Sequence, residues 1–144
     1  MIAIDTNILV YAHRSDAPFH DRAKSALRDV AEGDMAWAIP WPCVHEFLSK
    51  VTHPRIFRHP TPLERALDQI EEWLRSPVCQ ALAEPEGYLP IVASTLRSSR
   101  TVGSQVHDAR IAALCLAHGI DELWSADRDF SRFAKLRVRN PLND

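Results

Sequence analysis

With 144 residues and 46% apolar content, the chain has enough material to bury one core and is expected to form one domain over residues 1–144. Charged residues make up 25%, glycine is scarce, and no repeat or low-complexity stretch interrupts the sequence, which excludes disordered, collagen-like and solenoid classes. A net charge of −2 and a pI near 6.4 exclude a protein that holds nucleic acid through bulk positive charge, and no apolar run reaches the ~20 residues that cross a bilayer.

The first expected strand is Met1 to Ile4, ending at the polar turn Asp5-Thr6-Asn7, with Ile8 to Ala12 continuing as a helical turn. This apolar start is broken at Asp5 with no basic segment ahead of it, so it does not read as a signal peptide. His20 to Glu32 carries Ala23, Ala26, Leu27 and Val30 at helical spacing and closes at Gly33, and Ala36 to Ile39 is a second strand. Strand, helix, strand is a βαβ unit.

Pro42 suits the first turn of a further helix, in which Val44, Phe47, Leu48 and Val51 form the apolar stripe and Glu46 falls off it, in the first turn or so. A Pro-rich stretch from Pro54 to Pro62 follows. Leu63, Leu67, Ile70, Trp73 and Leu74 then mark an amphipathic helix ending before Pro77, and Val78 to Leu82 is a candidate strand.

Tyr88 to Leu96 reads as a helix, Ser98 to Ser104 as a loop, and Val106 to Ala117 as a helix apolar almost all round and therefore buried, closed by Gly119. Glu122 to Ser125 is a short strand that runs into Asp127-Arg128-Asp129-Phe130, and Leu136 to Arg139 is a final edge strand. Alternating strands and helices predict an α/β fold with a mostly parallel sheet flanked by helices. The three cysteines, Cys43, Cys79 and Cys115, are far apart in apolar surroundings and read as reduced thiols of a cytoplasmic protein.

In an open α/β sheet the binding crevice lies at the carboxyl ends of the strands, where Asp5 and Asp127 each follow a strand and Glu46 and Asp108 sit near helix starts. Carboxylates gathered there repel one another unless a cation joins them, and an all-oxygen set favours Mg²⁺ or Mn²⁺ over zinc. Each acid also has a plainer explanation. Asp5 and Asp108 suit helix N-caps, Glu46 a solvated helix face, and Asp127 and Asp129 a polar turn. Setting Asp5, Glu46, Asp108, Asp127 and Asp129 aside from the 19 acidic residues leaves 14 against 17 basic ones, a balance of +3 that is permissive for RNA.

The segments Ile4-Asp5-Thr6-Asn7-Ile8-Leu9, Glu46-Phe47, His107-Asp108-Ala109 and Ser125-Ala126-Asp127-Arg128-Asp129-Phe130 resemble, in order and spacing, the motifs of PIN domains, and within them of the VapC toxins of bacterial toxin–antitoxin systems. The resemblance runs from residue 2 to about residue 142, with Ser125 where the family often has Thr. It implies a PIN-like three-layer fold and a Mg²⁺- or Mn²⁺-dependent endoribonuclease. Such an enzyme cuts a structured RNA such as tRNA or rRNA, pairs with a cognate antitoxin and forms a homodimer.

It further implies that Asp5, Glu46 and Asp108 hold the metal, with Asp127 completing the set and Asp129 supporting it from behind. Thr6, Asn7 and Ser125 are expected to orient the carboxylates, with helix capping as their alternative role. Arg97, Arg100, Arg110, Arg128 and Arg132 are candidates to grip RNA phosphates. Apolar surface on the helices at 20–32 and 63–75 agrees with a dimer.

Three other readings fit parts of the sequence. His45-Glu46 opens like a zinc-protease signature, but the second His would be needed at Ser49. Asp5-Thr6-Asn7 resembles the nucleophile loop of haloacid-dehalogenase-like phosphatases, which need a second Asp where Asn7 stands. A non-catalytic module would use Trp37, Trp41, Trp73 and the Pro-rich segment 54–62 as a protein-binding surface.

Overall fold

The computed structural model describes residues 1–143. Among them, five strands, β1 (Ile2–Ile4), β2 (Trp37–Pro40), β3 (Cys79–Leu82), β4 (Glu122–Trp124) and β5 (Val138–Arg139), form one sheet in the order β3-β2-β1-β4-β5. Every neighbouring pair is parallel, the β5 edge included. A parallel sheet covered on both faces calls for continuous apolar strands, and Ala3, Ile4, Trp37, Ala38, Ile39 and Leu123 are fully buried.

The helices are α1 (Thr6–His13), α2 (His20–Glu32), α3 (Trp41–Val51), α4 (Leu63–Arg75), α5 (Tyr88–Ser99) and α6 (Val106–Ala117). The chain runs outward from β1 to β3 through α1 to α4 and then returns to β4 through α5 and α6. The helices flank the sheet in the expected three layers, in which α1 packs on α2 and α3, and α5 on α6. The direction of winding reverses between β1 and β4. That switch point opens a crevice at the carboxyl ends of these two strands.

Local sequence accounts for how two of these elements are aimed. The α6 helix is buried along most of its length, as its apolar surround predicts. It stops at Gly119, whose φ of +65° suits glycine, while Ile120 N–H reaches back to the Cys115 carbonyl at 2.9 Å. This stop turns the chain into β4. The α1 helix begins directly at the end of β1, because Asp5 keeps an extended backbone and caps it.

Two expectations shift by a few residues. The α5 helix continues to Ser99, and part of the expected loop is a 3-10 turn at Gly103–Gln105. Residues Arg128–Arg132, read from sequence as a polar turn, also form a 3-10 helix. The surface expected for a non-catalytic module loses two of its three tryptophans, since Trp37 is fully buried and Trp73 is 8% exposed, while Trp41 stays 37% exposed. Its Pro-rich segment is held to the body by Arg14, which donates to the His59 carbonyl at 2.7 Å and lies over the Phe57 ring.

Candidate active site

Asp5 sits at the switch point, 4% exposed, and its carboxylate is held from both sides. Oδ1 accepts from the Thr6 backbone N–H at 2.8 Å and from the Cys43 thiol at 3.6 Å. Oδ2 accepts from the Ser125 hydroxyl at 2.7 Å and from the Asn7 amide at 3.2 Å. A helix cap accounts for the first bond only; the other three reach in from an N-terminal turn, α3 and the end of β4. Burial pushes the Asp5 carboxyl up to about 6, the Ser125 and Thr6 donors pull against it, and the charge of Glu46 adds to the rise.

Ser125 ties the two strand ends together. Its hydroxyl donates to Asp5 and accepts from Asp127 N–H at 3.0 Å and from Asn7 Nδ2 at 3.3 Å. Asn7 also accepts from Ala126 N–H at 3.1 Å, so the turn after β4 is pinned to the start of α1. Asn7 is therefore a structural bridge, and the second Asp a dehalogenase-like site needs is absent from its place.

Glu46 lies in the second turn of α3, slightly deeper than the sequence implied, one turn beyond Cys43 and on the side that faces β1. Thr6 Oγ1 donates to Glu46 Oε2 at 2.6 Å, which fixes the carboxylate beside Asp5. Asp108 enters from the first turn of α6. One oxygen from each of Asp108, Asp127 and Asp129 lies within 4.8 Å of the others. Burial raises the Asp108 carboxyl above its ordinary range, the charges of Asp127, Glu46 and Asp129 raise it further, and Arg132 opposes them.

Asp5 and Glu46 are linked through Thr6, Asp108 stands with Asp127 and Asp129, and the charge of Glu46 is felt at Asp108. The closest trio, however, includes Asp129 in place of Asp5 and Glu46. The reason is local: Asp127 Oδ1 caps Asp129 N–H at 2.9 Å, which curls the 3-10 helix and brings the Asp129 carboxylate round beside its neighbour. Oxygen-only donors that raise one another's proton affinity fit a hard divalent cation.

The arginines divide. Arg132 stands over the crevice, bonded to Gln105 and felt by Asp108, and Arg128 adjoins Asp127 with its side chain exposed. Arg110 is two residues beyond Asp108, about 200° round the helix, and pairs with Glu84 at 2.6 Å. Arg97 lies in the last turn of α5 and Arg100 caps its far end. Cys43 is the site residue that sequence reasoning missed; its place three residues before Glu46 was the available signal.

Residues 2–136 match the family described as PIN domain. The chain belongs to the PIN-domain family. This PIN domain is 33% identical to Ribonuclease VapC48 of Mycobacterium tuberculosis over 139 residues, 96% of each chain. It is 31% identical to Ribonuclease VapC33 of the same organism across the whole of both chains.

Among solved structures, the VapBC2 complex of Rickettsia felis bound to a promoter DNA fragment matches with a TM-score of 0.70 at 19% identity, covering 97% of this chain and 98% of that one. The sarcin-ricin-loop-cleaving toxin VapC20 of M. tuberculosis matches with a TM-score of 0.66 at 21% identity, covering 95% and 99%. At these identities the structural likeness speaks for the fold.

Proposed function

We propose that this PIN domain is a Mg²⁺- or Mn²⁺-dependent endoribonuclease, the toxin of a type II toxin–antitoxin pair. The observation that carries the reading is the trio of Asp108, Asp127 and Asp129 oxygens within 4.8 Å of one another, beside a buried Asp5 joined to Glu46 through Thr6. Asp5, Glu46, Asp108 and Asp127 hold the metal, and Asp129 is close enough to share in the task. When bound, the metal supplies a water of lowered pKa and neutralises charge that develops on the phosphate.

The chain's own groups prepare that site. The donors on Asp5 fix the direction of its carboxylate, and Thr6 does the same for Glu46. Ser125 and Asn7 hold the Asp127 turn against α1. Arg132 and Arg128 are the cations placed to receive phosphate oxygens.

The ribonuclease names of the full-length relatives support RNA as substrate, and a relative described as cutting the sarcin-ricin loop supports a structured RNA such as rRNA or tRNA. A cognate antitoxin is supported by the VapBC2 assembly. Leu63 and Leu67, exposed on α4, are apolar surface for a homodimer or that partner. No helix among the described residues is long and apolar enough to cross a membrane.

Incubating the purified protein with total RNA in Mg²⁺ or Mn²⁺ and sequencing the new ends tests the reading. Cuts at one or a few loop positions are expected. Intact RNA at stoichiometric protein in either metal would overturn it.

A further inference from the structure

The parallel registers that pair Ile4 with Trp124 and Trp124 with Arg139, carried forward by one residue, set Asp5, Ser125 and Asn140 level at the ends of β1, β4 and β5. Ser125 N–H donates to the Arg139 carbonyl at 2.9 Å, which holds that register up to the strand ends. An open recess of about 320 Å³ lies there, and Asp127 lines it together with Arg128, Ser131, Asn140 and Asn143. Asp127 also belongs to the trio of clustered carboxylates, so the recess and the carboxylate crevice share a wall.

Asn140 has a structural task, since its Oδ1 accepts from Leu142 N–H at 3.0 Å and caps the 3-10 turn Pro141–Asn143. That task leaves a lone pair on Oδ1, and the Asn140 Nδ2 group donates to no side chain or carbonyl among the described residues. The carboxamide of Asn143 and the hydroxyl of Ser131, both exposed, add further donors and acceptors. A phosphate only accepts, whereas this mixed set matches the edge of a base, and Ala126 and Val138 give its ring apolar contact.

We propose that this recess takes the unpaired base next to the scissile phosphate, and that Asn140 is a specificity-determining residue that favours adenine there. The proposal rests on the endoribonuclease reading and deepens it. Bases of single-stranded loops can be splayed out and read along their edges. A carboxamide presents a donor beside an acceptor, the complement of adenine N7 and its 6-amino group. Arg128, on the same recess, is placed to hold the phosphate that such a base carries.

The test uses the full chain in Mg²⁺ or Mn²⁺ on a pool of hairpin RNAs with randomised loops, with sequencing of the new ends. Wild type is expected to enrich adenine at one of the two positions flanking the cut. The readout is the ratio of kcat/KM on two hairpins with adenine or uracil at that position, because a general defect in fold or metal binding lowers both alike and leaves the ratio. Asn140→Ser keeps a capping oxygen without the amide donors and is expected to reduce the ratio roughly 5- to 100-fold. Asn143→Ala, at an exposed position, is expected to reduce the same ratio less, and it serves if the first variant melts early. A wild-type profile without adenine enrichment beside the cut overturns the proposal, as does a wild-type ratio in the variants. If wild type cuts with either of these results, the base subsite alone fails; if wild type cuts no RNA, the endoribonuclease reading fails with it.

Discussion

The Ser125 hydroxyl donates to Asp5 Oδ2 at 2.7 Å across 120 residues of sequence, joining the ends of the two strands between which the sheet reverses its winding. One side chain therefore sets both the direction of the buried carboxylate and the path of the Asp127 turn.

Replacing Ser125 with Ala leaves Asp5 Oδ2 short of a donor and Asp127 N–H without its acceptor. A buried polar group left unpaired costs about 1–3 kcal/mol, so calorimetry should show melting lowered by roughly 3–10 °C. Ser125→Thr keeps the hydroxyl and should keep activity.

Asp5→Asn should stop RNA cleavage while making the metal-free protein more stable at neutral pH. The folded carboxyl is raised from 3.8 to about 6, so the fold favours its protonated form. Stability from this group is present at low pH and is lost as pH rises from about 4 through 6, to the extent of about 3 kcal/mol. Melting curves in chelator should show the variant ahead of wild type at pH 7.5 and the gap closing near pH 4. A plain helix cap would behave otherwise, since Asn caps about as well as Asp and would leave cleavage intact.

Much of this centre is legible in the sequence, because parallel strands and amphipathic helices announce themselves through apolar spacing. The end of β1 and the start of α6 locate Asp5 and Asp108 before any coordinates are known. Side-chain partners are less visible. Asn7 can cap a helix or bridge two strand ends, and only the approach of Ala126 N–H decides for the bridge. Cys43 looks like any core thiol until α3 is docked on α1. Asp129 joins the closest trio because a 3-10 helix replaces the expected turn, a difference in backbone curl with no periodic signature.

Thr6→Val should weaken Mn²⁺ binding about 10- to 100-fold by releasing Glu46, whose Oε2 it holds at 2.6 Å. Val matches Thr in shape, so far-UV circular dichroism should be unchanged. Isothermal titration of the variant with Mn²⁺ checks the affinity, and a wild-type value would mean that Glu46 needs no orienting partner.

The arginines should separate by position. Arg132→Ala removes a cation above the crevice and is expected to lower kcat/KM on RNA by about 10- to 100-fold, the worth of a charge-assisted contact. Arg110→Ala, whose partner is Glu84 on the other side of α6, should stay within about twofold. Equal losses in the two variants would point to a diffuse electrostatic effect.

The most direct measurement is RNA cleavage by wild type and by Asp108→Asn and Asp127→Asn in Mg²⁺ or Mn²⁺, with a chelator control and Mn²⁺ titrations of the same three proteins. Wild type is expected to make defined cuts that chelator abolishes, and each variant to lose both cutting and Mn²⁺ binding while the fold persists. Cleavage that continues in chelator, or variants that cut at the wild-type rate, would contradict it.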